Sequence, residues 1–231
     1  PLPFVKSASP NDKPIDISSR IRATLNLNET WAADYRKWTD ALRALQNKIE
    51  SIGIFLVVNG IVGNNTHRTL DPSDFRGFVL VDEYAPLLFV NGADGKAAQM
   101  FTLAHELAHI WLGSSAAFDL RELRPADNKI EQLCNQVAAE FLVPEKQLRY
   151  LWPSVQQSPE PIQAVARHFK VSSIGAARRL SDLRLITSSE FHDFYRAWQA
   201  SDHTPRPDRD GGDFYKTQNL RNQSLMQMYP N

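Results

Sequence analysis

The chain has 231 residues, 42% of them hydrophobic, which suits one large domain or one domain with a small appendage. Lys and Arg together number 26, as do Asp and Glu, so the formal net charge of +0 excludes a general attraction to nucleic acid. A single cysteine, Cys134, excludes an internal disulfide framework, and no apolar run approaches the roughly 20 residues that span a bilayer. We therefore expect a cytoplasmic protein that does not enter membranes.

The first half of the chain predicts two helices followed by strands. Residues 1–16 contain four prolines and are expected to run irregularly. Helices are predicted over Ile17–Leu25 and over Trp31–Ile52, where apolar residues recur every three or four positions. A turn-rich stretch over 59–74 separates the first two of three predicted strands. The strands are Ile54–Val58, Phe75–Val81 and Leu87–Val90.

The second half is predicted to be mainly helical. Asp94 is a suitable cap for the first of these helices and Gly113 a suitable stop, and a loop is expected over 114–125. The predicted helices are Lys96–Leu112, Asn128–Val143, Glu145–Leu151, Ile162–Phe169, Ser173–Leu183 and Ser189–Ala200.

Together these elements predict an α+β fold, with a small three-stranded sheet packed on helices and a helical appendage after it. We divide the chain into an irregular segment (1–16), a central domain (17–152), an appendage (159–200) and a tail (201–231). The polar, Pro- and Gly-containing composition of the tail is typical of a mobile segment.

The predicted helix around residue 105 carries a His-Glu-x-x-His pattern. His105 and His109 are four residues apart, so both imidazoles lie on one helix face and can share a metal ion. Glu106 lies about 100° round from His105 and can reach a water on that metal. Two His and a Glu also occur at this spacing by chance, so a third ligand has to be found.

The third ligand is predicted to be a glutamate on a following helix. A third His three residues after a Gly would define one class of zinc protease, but Leu112 and Ser115 stand at those positions. Glu131 and Glu140 both lie on the next helix, about 180° apart, so only one faces the metal. Glu131 borders the apolar face and is the predicted ligand, whereas Glu140 is expected on the wetter side. Asn135, one turn on, is expected to hydrogen bond to a ligand.

The His-Glu-Leu-Ala-His sequence followed by the helix from Ile130 to Pro144 resembles the ImmA/IrrE metallopeptidases. Asn65–Leu70, Phe75–Phe78 and Phe89–Asp94 look like the branch often fused to a repressor-type helix-turn-helix domain. The resemblance covers roughly residues 17–200. It implies a minimal thermolysin-like zincin core in which His105, His109 and Glu131 bind Zn²⁺ and Glu106 is the catalytic carboxylate.

The resemblance also implies a function. Relatives typically cleave a DNA-binding repressor or an antitoxin, so we expect a zinc endopeptidase with such a protein as its partner. A site made of two imidazoles and a carboxylate can also bind Mn²⁺ or Co²⁺. The alternative is a regulatory or antitoxin binding module that keeps the fold but cleaves nothing.

Substrate contacts are less well defined by the sequence. His67, Arg68 and Tyr84 are candidates to stabilise the oxyanion, although the first two also suit a polar hairpin loop. The strand Leu87–Val90 is expected to pair with an extended substrate.

Other polar and aromatic groups have structural interpretations. Residues 162–180 resemble a helix-turn-helix, in which Arg178 and Arg179 would contact DNA, but we favour a brace or a protein-docking appendage because the chain is neutral. Ser172 or Ser173 is expected to cap its second helix. Cys134, Phe101 and Trp111 are expected to be core residues. The apolar neighbours of these three residues, at helical spacing, indicate that they are buried.

Overall fold

A computed structural model describes residues 1–63, 65–114, 116–118 and 129–200. Eight α-helices occur in this part of the chain. In chain order they are α1 (Pro14–Thr24), α2 (Trp38–Ser51), α3 (Lys96–Leu112), α4 (Lys129–Leu142), α5 (Glu145–Val155), α6 (Pro161–Phe169), α7 (Ser173–Asp182) and α8 (Ser188–Ala200). None of these helices is both long and apolar enough to cross a bilayer.

Six strands lie in the same part of the chain. They are β1 (Phe55–Asn59), β2 (Ile61–Val62), β3 (Asn65–Thr69), β4 (Gly77–Leu80), β5 (Leu87–Asn91) and β6 (Ala116–Phe118). One sheet has the order β1-β5-β4-β6, and β2 and β3 form a separate antiparallel pair. The α+β class is thus confirmed, and the three predicted strands are extended at one edge by β6.

The strand order places β5 inside the sheet. It pairs in parallel with β1, with Val57 opposite Phe89, and antiparallel with β4, with Gly77 opposite Val90. Both of its edges are therefore occupied by hydrogen-bonded neighbours, since each strand has two. The expectation that Leu87–Val90 pairs with a substrate is wrong.

Helix α3 lies against the sheet and forms the centre of the core. Its residues between Gln99 and Trp111 are buried with the exception of Phe101. Because the helix is apolar on most sides, it is enclosed by the sheet, α1, α2 and α4. The helix begins after Gly95, whose position as N-cap corrects the prediction for Asp94, and ends at Gly113, which adopts a left-handed φ of 73°.

The N-terminal segment packs along the end of α3. The ring of Phe4 stacks on Trp111 with 4.7 Å between centroids, and the backbone N–H groups of Lys6 and Ala8 donate to the carbonyls of Ile110 and Trp111. These contacts supply further donors to carbonyls at the C-terminal end of the helix, where the regular donors four residues on have run out.

Three local predictions need correction. The helix expected over Trp31–Ile52 is broken, with a 3-10 turn at Trp31–Asp34 before α2 starts at Trp38. The turn-rich stretch over 59–74 contains the β2–β3 pair, and the loop expected over 114–125 contains β6. In each case apolar spacing or turn residues indicated the local preference, but strand pairing or packing against another helix decided the outcome. The mobile tail predicted over 201–231 lies outside the described residues.

The C-terminal helices are joined to the core by a buried ion pair. The guanidinium of Arg179 on α7 contacts the carboxylate of Glu140 on α4 and donates to the carbonyl of Val143. Arg22 on α1 donates to the carbonyls of Glu140 and Phe141. Two arginines from distant parts of the chain therefore hold the C-terminal end of α4.

A candidate metal centre between two helices

The two histidines of α3 converge because helical spacing places them on one face. His105 and His109 are both fully buried, and their Nε2 atoms lie 3.0 Å apart. Leu103, Leu107 and Ile110 anchor the opposite sides of the helix in the core. The imidazoles therefore point in a fixed direction, toward α4.

Glu131 in the first turn of α4 completes the cluster. Its two carboxylate oxygens lie 3.1 Å from Nε2 of His105 and 3.3 Å from Nε2 of His109. Ala138, fully buried on the same helix, has a small side chain that permits a close approach of α4 to α3. The structure therefore brings together the three residues that the sequence selected as ligands.

The geometry of the cluster fits a metal ion. One ligand atom from each of the three residues lies within 4.8 Å of the others. Within the described residues, this is the cluster of three His, Cys, Asp or Glu side chains that could hold a metal ion. Bonds of about 2.0–2.1 Å to a tetrahedral ion separate its ligand atoms by about 3.3 Å. The observed separations of 3.0–3.3 Å are close to that value. Two imidazoles and a carboxylate form a donor set that suits zinc.

Asn135 orients one of the imidazoles. Its Oδ1 lies 3.0 Å from Nδ1 of His105, and an amide oxygen can only accept. The Nδ1–H of His105 therefore donates to Asn135, which leaves the Nε2 lone pair free for a metal. This is the contact that the spacing of Asn135 from Glu131 predicted.

The electrostatics of the cluster also favour a cation. Burial lowers the pKa of the His105 imidazole, which keeps it neutral as a metal ligand must be. Close contact with the imidazole of His105, and then with that of His109, lowers the pKa of Glu131 to about 2, so its carboxylate is ionised at neutral pH. An ionised carboxylate beside the neutral imidazole of His105 leaves a negative charge that a cation can compensate.

Glu106 lies beside the cluster, between α3 and β4. The residue is fully buried, and neither carboxylate oxygen has a hydrogen-bond partner among the described residues. Burial, together with the charge of Glu131, raises the pKa of Glu106 to about 9. Since a buried, unpartnered carboxyl costs several kcal/mol in general, its presence here points to a role in chemistry.

Gly77 of β4 permits this arrangement. A Cβ on Gly77 would lie 2.5 Å from Cγ2 of Thr102, 2.7 Å from the carbonyl oxygen of Phe89 and 3.7 Å from Oε1 of Glu106. The strand can therefore approach α3 and Glu106 only without a side chain. Sequence reasoning did not assign Gly77 a role, although a glycine inside a strand signals a close approach of backbone.

Glu140, the rejected ligand candidate, does face away from the metal cluster but not toward water. It is buried, paired with Arg179, and accepts from the backbone N–H of Glu145. Its assignment to a wetter side is therefore wrong, because α7 covers that side of α4. Cys134 is fully buried, as expected, and burial raises the pKa of its thiol.

The candidate substrate residues lie in other parts of the fold. His67 and Arg68 are exposed on β3, in the hairpin that their polar context also suggested. Tyr84 is 68% exposed in the connection between β4 and β5. Their roles in stabilising an oxyanion stay predictions.

Comparison with known families matches the region that carries this centre. The model of the Peptidase_M78 family, described as the IrrE N-terminal-like domain, matches residues 61–181, which is more than half of the chain. This span includes the two histidines and both glutamates of the centre. No curated protein matches the chain.

Proposed function

The chain belongs to the IrrE N-terminal-like (Peptidase_M78) family, and from this premise we propose that it is a zinc-dependent endopeptidase. Its substrate is a regulatory protein, such as a DNA-binding repressor or an antitoxin. The proposal is carried by one observation: three metal-ligand atoms converge within 4.8 Å beside a buried carboxyl group that no described residue binds.

The residues have separate roles in hydrolysis. His105, His109 and Glu131 would hold the ion, which when bound supplies Lewis-acid activation of water and of the peptide carbonyl. Glu106 accepts a proton from the attacking water at its carboxylate and passes it to the departing amine. A cation beside Glu106 would lower its pKa from the value of about 9 that burial and Glu131 produce, so the group can accept as well as release a proton.

The helical appendage is proposed to brace the peptidase rather than to bind DNA. The side chain of Arg179 is only 11% exposed and is paired with Glu140. Arg178 forms an ion pair with Asp182, at 3.0 Å. The Arg178 pair is exposed, so it is the burial of Arg179 that supports the bracing interpretation, since a buried and paired guanidinium is not available to phosphates.

The central test separates chemistry from metal binding. Glu106→Gln should keep bound zinc but abolish cleavage of the partner, whereas Glu131→Gln should lower bound zinc. Glu160→Gln, at an exposed ion pair with Arg167, is the matched control and should change neither. Zinc is measured by elemental analysis, and cleavage by electrophoresis of the protein encoded by the neighbouring gene.

The same experiment decides between the proposal and the non-cleaving module. Cleavage that a chelator blocks and added zinc or manganese restores supports the endopeptidase. A stable complex that shows no cleavage by the zinc-loaded protein would support the binding module instead. Cleavage that persists in Glu106→Gln would contradict the assigned role of this residue.

A further inference from the structure

Phe101 is the exception in the buried part of α3. Every other residue from Gln99 to Trp111 is buried, whereas Phe101 is partly exposed. The sequence predicted both Phe101 and Trp111 as core residues, and only Trp111, with 1% of its surface exposed, is wholly enclosed. The ring therefore packs against the core and at the same time stays partly exposed.

The position of this ring relates it to the metal cluster. Phe101 precedes His105 by four residues, so the two side chains lie about 40° apart on the same helix face. Their ring centroids are 6.5 Å apart, with an angle of 34° between the planes. The side chain of Glu131, which contacts His105, is 23% exposed, so the cluster opens to the surface as well.

This placement matters for a peptide that binds at the cluster. A carbonyl undergoing attack must lie at the ligand atoms, and the side chain next to it projects from the same short stretch of backbone. A ring 6.5 Å from a ligand imidazole is within reach of that side chain. Contact between an aromatic ring and an apolar side chain is favourable through buried area and ring geometry.

We propose that Phe101 forms the apolar wall of a substrate subsite beside the metal, and that it selects a bulky apolar side chain at a residue flanking the scissile bond. The inference deepens the proposed function and rests on it. Phe101 is thereby a specificity-determining residue rather than part of the proton transfer, which Glu106 performs.

Hydroxamate binding to cobalt-loaded protein tests this without turnover. Co²⁺ replaces zinc at such sites and gives a visible spectrum that changes when a ligand binds. Acetohydroxamate and phenylacetohydroxamate share the metal-binding group and differ by a phenyl ring. We expect the phenyl compound to bind the unmodified protein about 3- to 10-fold more tightly, the range that one aromatic contact supplies.

Substitution of Phe101 should remove this preference alone. In Phe101→Ala the two dissociation constants should become equal to within about 2-fold, with that of acetohydroxamate unchanged. Phe101→Leu keeps an apolar wall and should retain part of the preference, and it decides the question if the alanine variant does not fold. Phe191→Ala, at a partly exposed ring on α8, is the matched control and should keep the full preference.

The outcomes separate the two proposals. Cobalt binding with a phenyl preference that survives in Phe101→Ala, or with no preference in the unmodified protein, would overturn the role of Phe101 and leave the metal centre intact. Failure of the unmodified protein to bind cobalt or zinc would overturn the proposed function and this inference with it.

Discussion

At the scale of single residues, the candidate site depends on which groups surround Glu106. Its neighbours are a glycine in β4 and the two candidate-ligand histidines on its own helix, so its carboxyl group is held in a dry environment. A side chain at position 77 would compete for this space. The residue with no side chain is thus as important to the site as those with charged ones.

Gly77→Ala should destabilise the protein by about 1–3 kcal/mol, because its Cβ would overlap Thr102 and the carbonyl of Phe89. Gly95→Ala is the control, since nothing lies within 4 Å of a Cβ there. As Gly95 is the N-cap of α3, its substitution should cost about 1 kcal/mol or less. Urea denaturation measures the stability of both variants, and equal urea midpoints for the two would contradict the close approach of β4.

Asn135→Ala should weaken metal binding about 10- to 100-fold, because His105 loses the acceptor that sets its tautomer. Gln136→Ala changes an exposed neighbour on the same helix and should leave metal binding unchanged. Competition with a chelator of known affinity gives both dissociation constants. An unchanged affinity in Asn135→Ala would show that His105 is oriented by packing alone.

At the scale of elements, α4 links the metal cluster to the appendage. Glu131 in its first turn contacts the histidines, and Glu140 in its last turn contacts Arg179 of α7. Arg22 of α1 binds the carbonyls at the same end. The helix is therefore fixed at both ends by different parts of the chain, which holds Glu131 in register with α3.

Arg179→Met should destabilise the protein by about 3–5 kcal/mol, because it leaves the buried carboxylate of Glu140 without its cation. Arg178→Met removes an exposed pair with Asp182 and should cost about 1 kcal/mol or less. Urea denaturation at neutral pH compares the two adjacent substitutions. A cost for Arg179→Met no larger than that for Arg178→Met would mean that the buried pair does not brace α4.

The defect of Arg179→Met should shrink as the pH falls. Burial already raises the pKa of Glu140 against the opposing effect of Arg179, and loss of the arginine raises it further. A carboxyl whose pKa is higher in the folded than in the unfolded state binds its proton preferentially in the folded state, so stability rises as pH falls toward the unfolded pKa. Denaturation at pH 5 and pH 8 should show the larger defect at pH 8.

At the scale of the whole molecule, the metal would join two helices that are distant in sequence. α3 supplies two ligands and α4 one, and residues 115 and 119–128 between them lie outside the described part of the chain. A ligand set assembled only in the folded protein couples metal binding to folding. The stability of the molecule should therefore depend on metal concentration.

Zinc at about 1,000 times its dissociation constant should stabilise the protein by about 4 kcal/mol, because it binds the folded chain and not the unfolded one. The expected result is a thermal midpoint that rises with zinc and falls on chelation. Glu131→Gln should abolish most of this shift. A thermal midpoint of the unmodified protein that does not change with zinc would contradict a metal site that joins α3 and α4.

Much of the site was predictable because it depends on helical periodicity. Four-residue spacing places His105 and His109 on one face, and the angle between Glu131 and Glu140 allows only one of them to face the metal. Asn135 was predicted from the same angle. These relations are local, so amino-acid order alone determines them.

The tertiary structure determined which elements neighbour the site, which helical periodicity does not describe. The strand order puts β5 in the interior of the sheet, α7 buries Glu140, and the approach of β4 makes Gly77 a neighbour of Glu106. Each contact joins residues far apart in the chain, and it exists only when several elements have packed together. The His-Glu-x-x-His helix and the choice of Glu131 over Glu140 were thus predictable from the sequence, whereas the meeting of α3 with α4 and the walls around the site depend on the packing of distant elements.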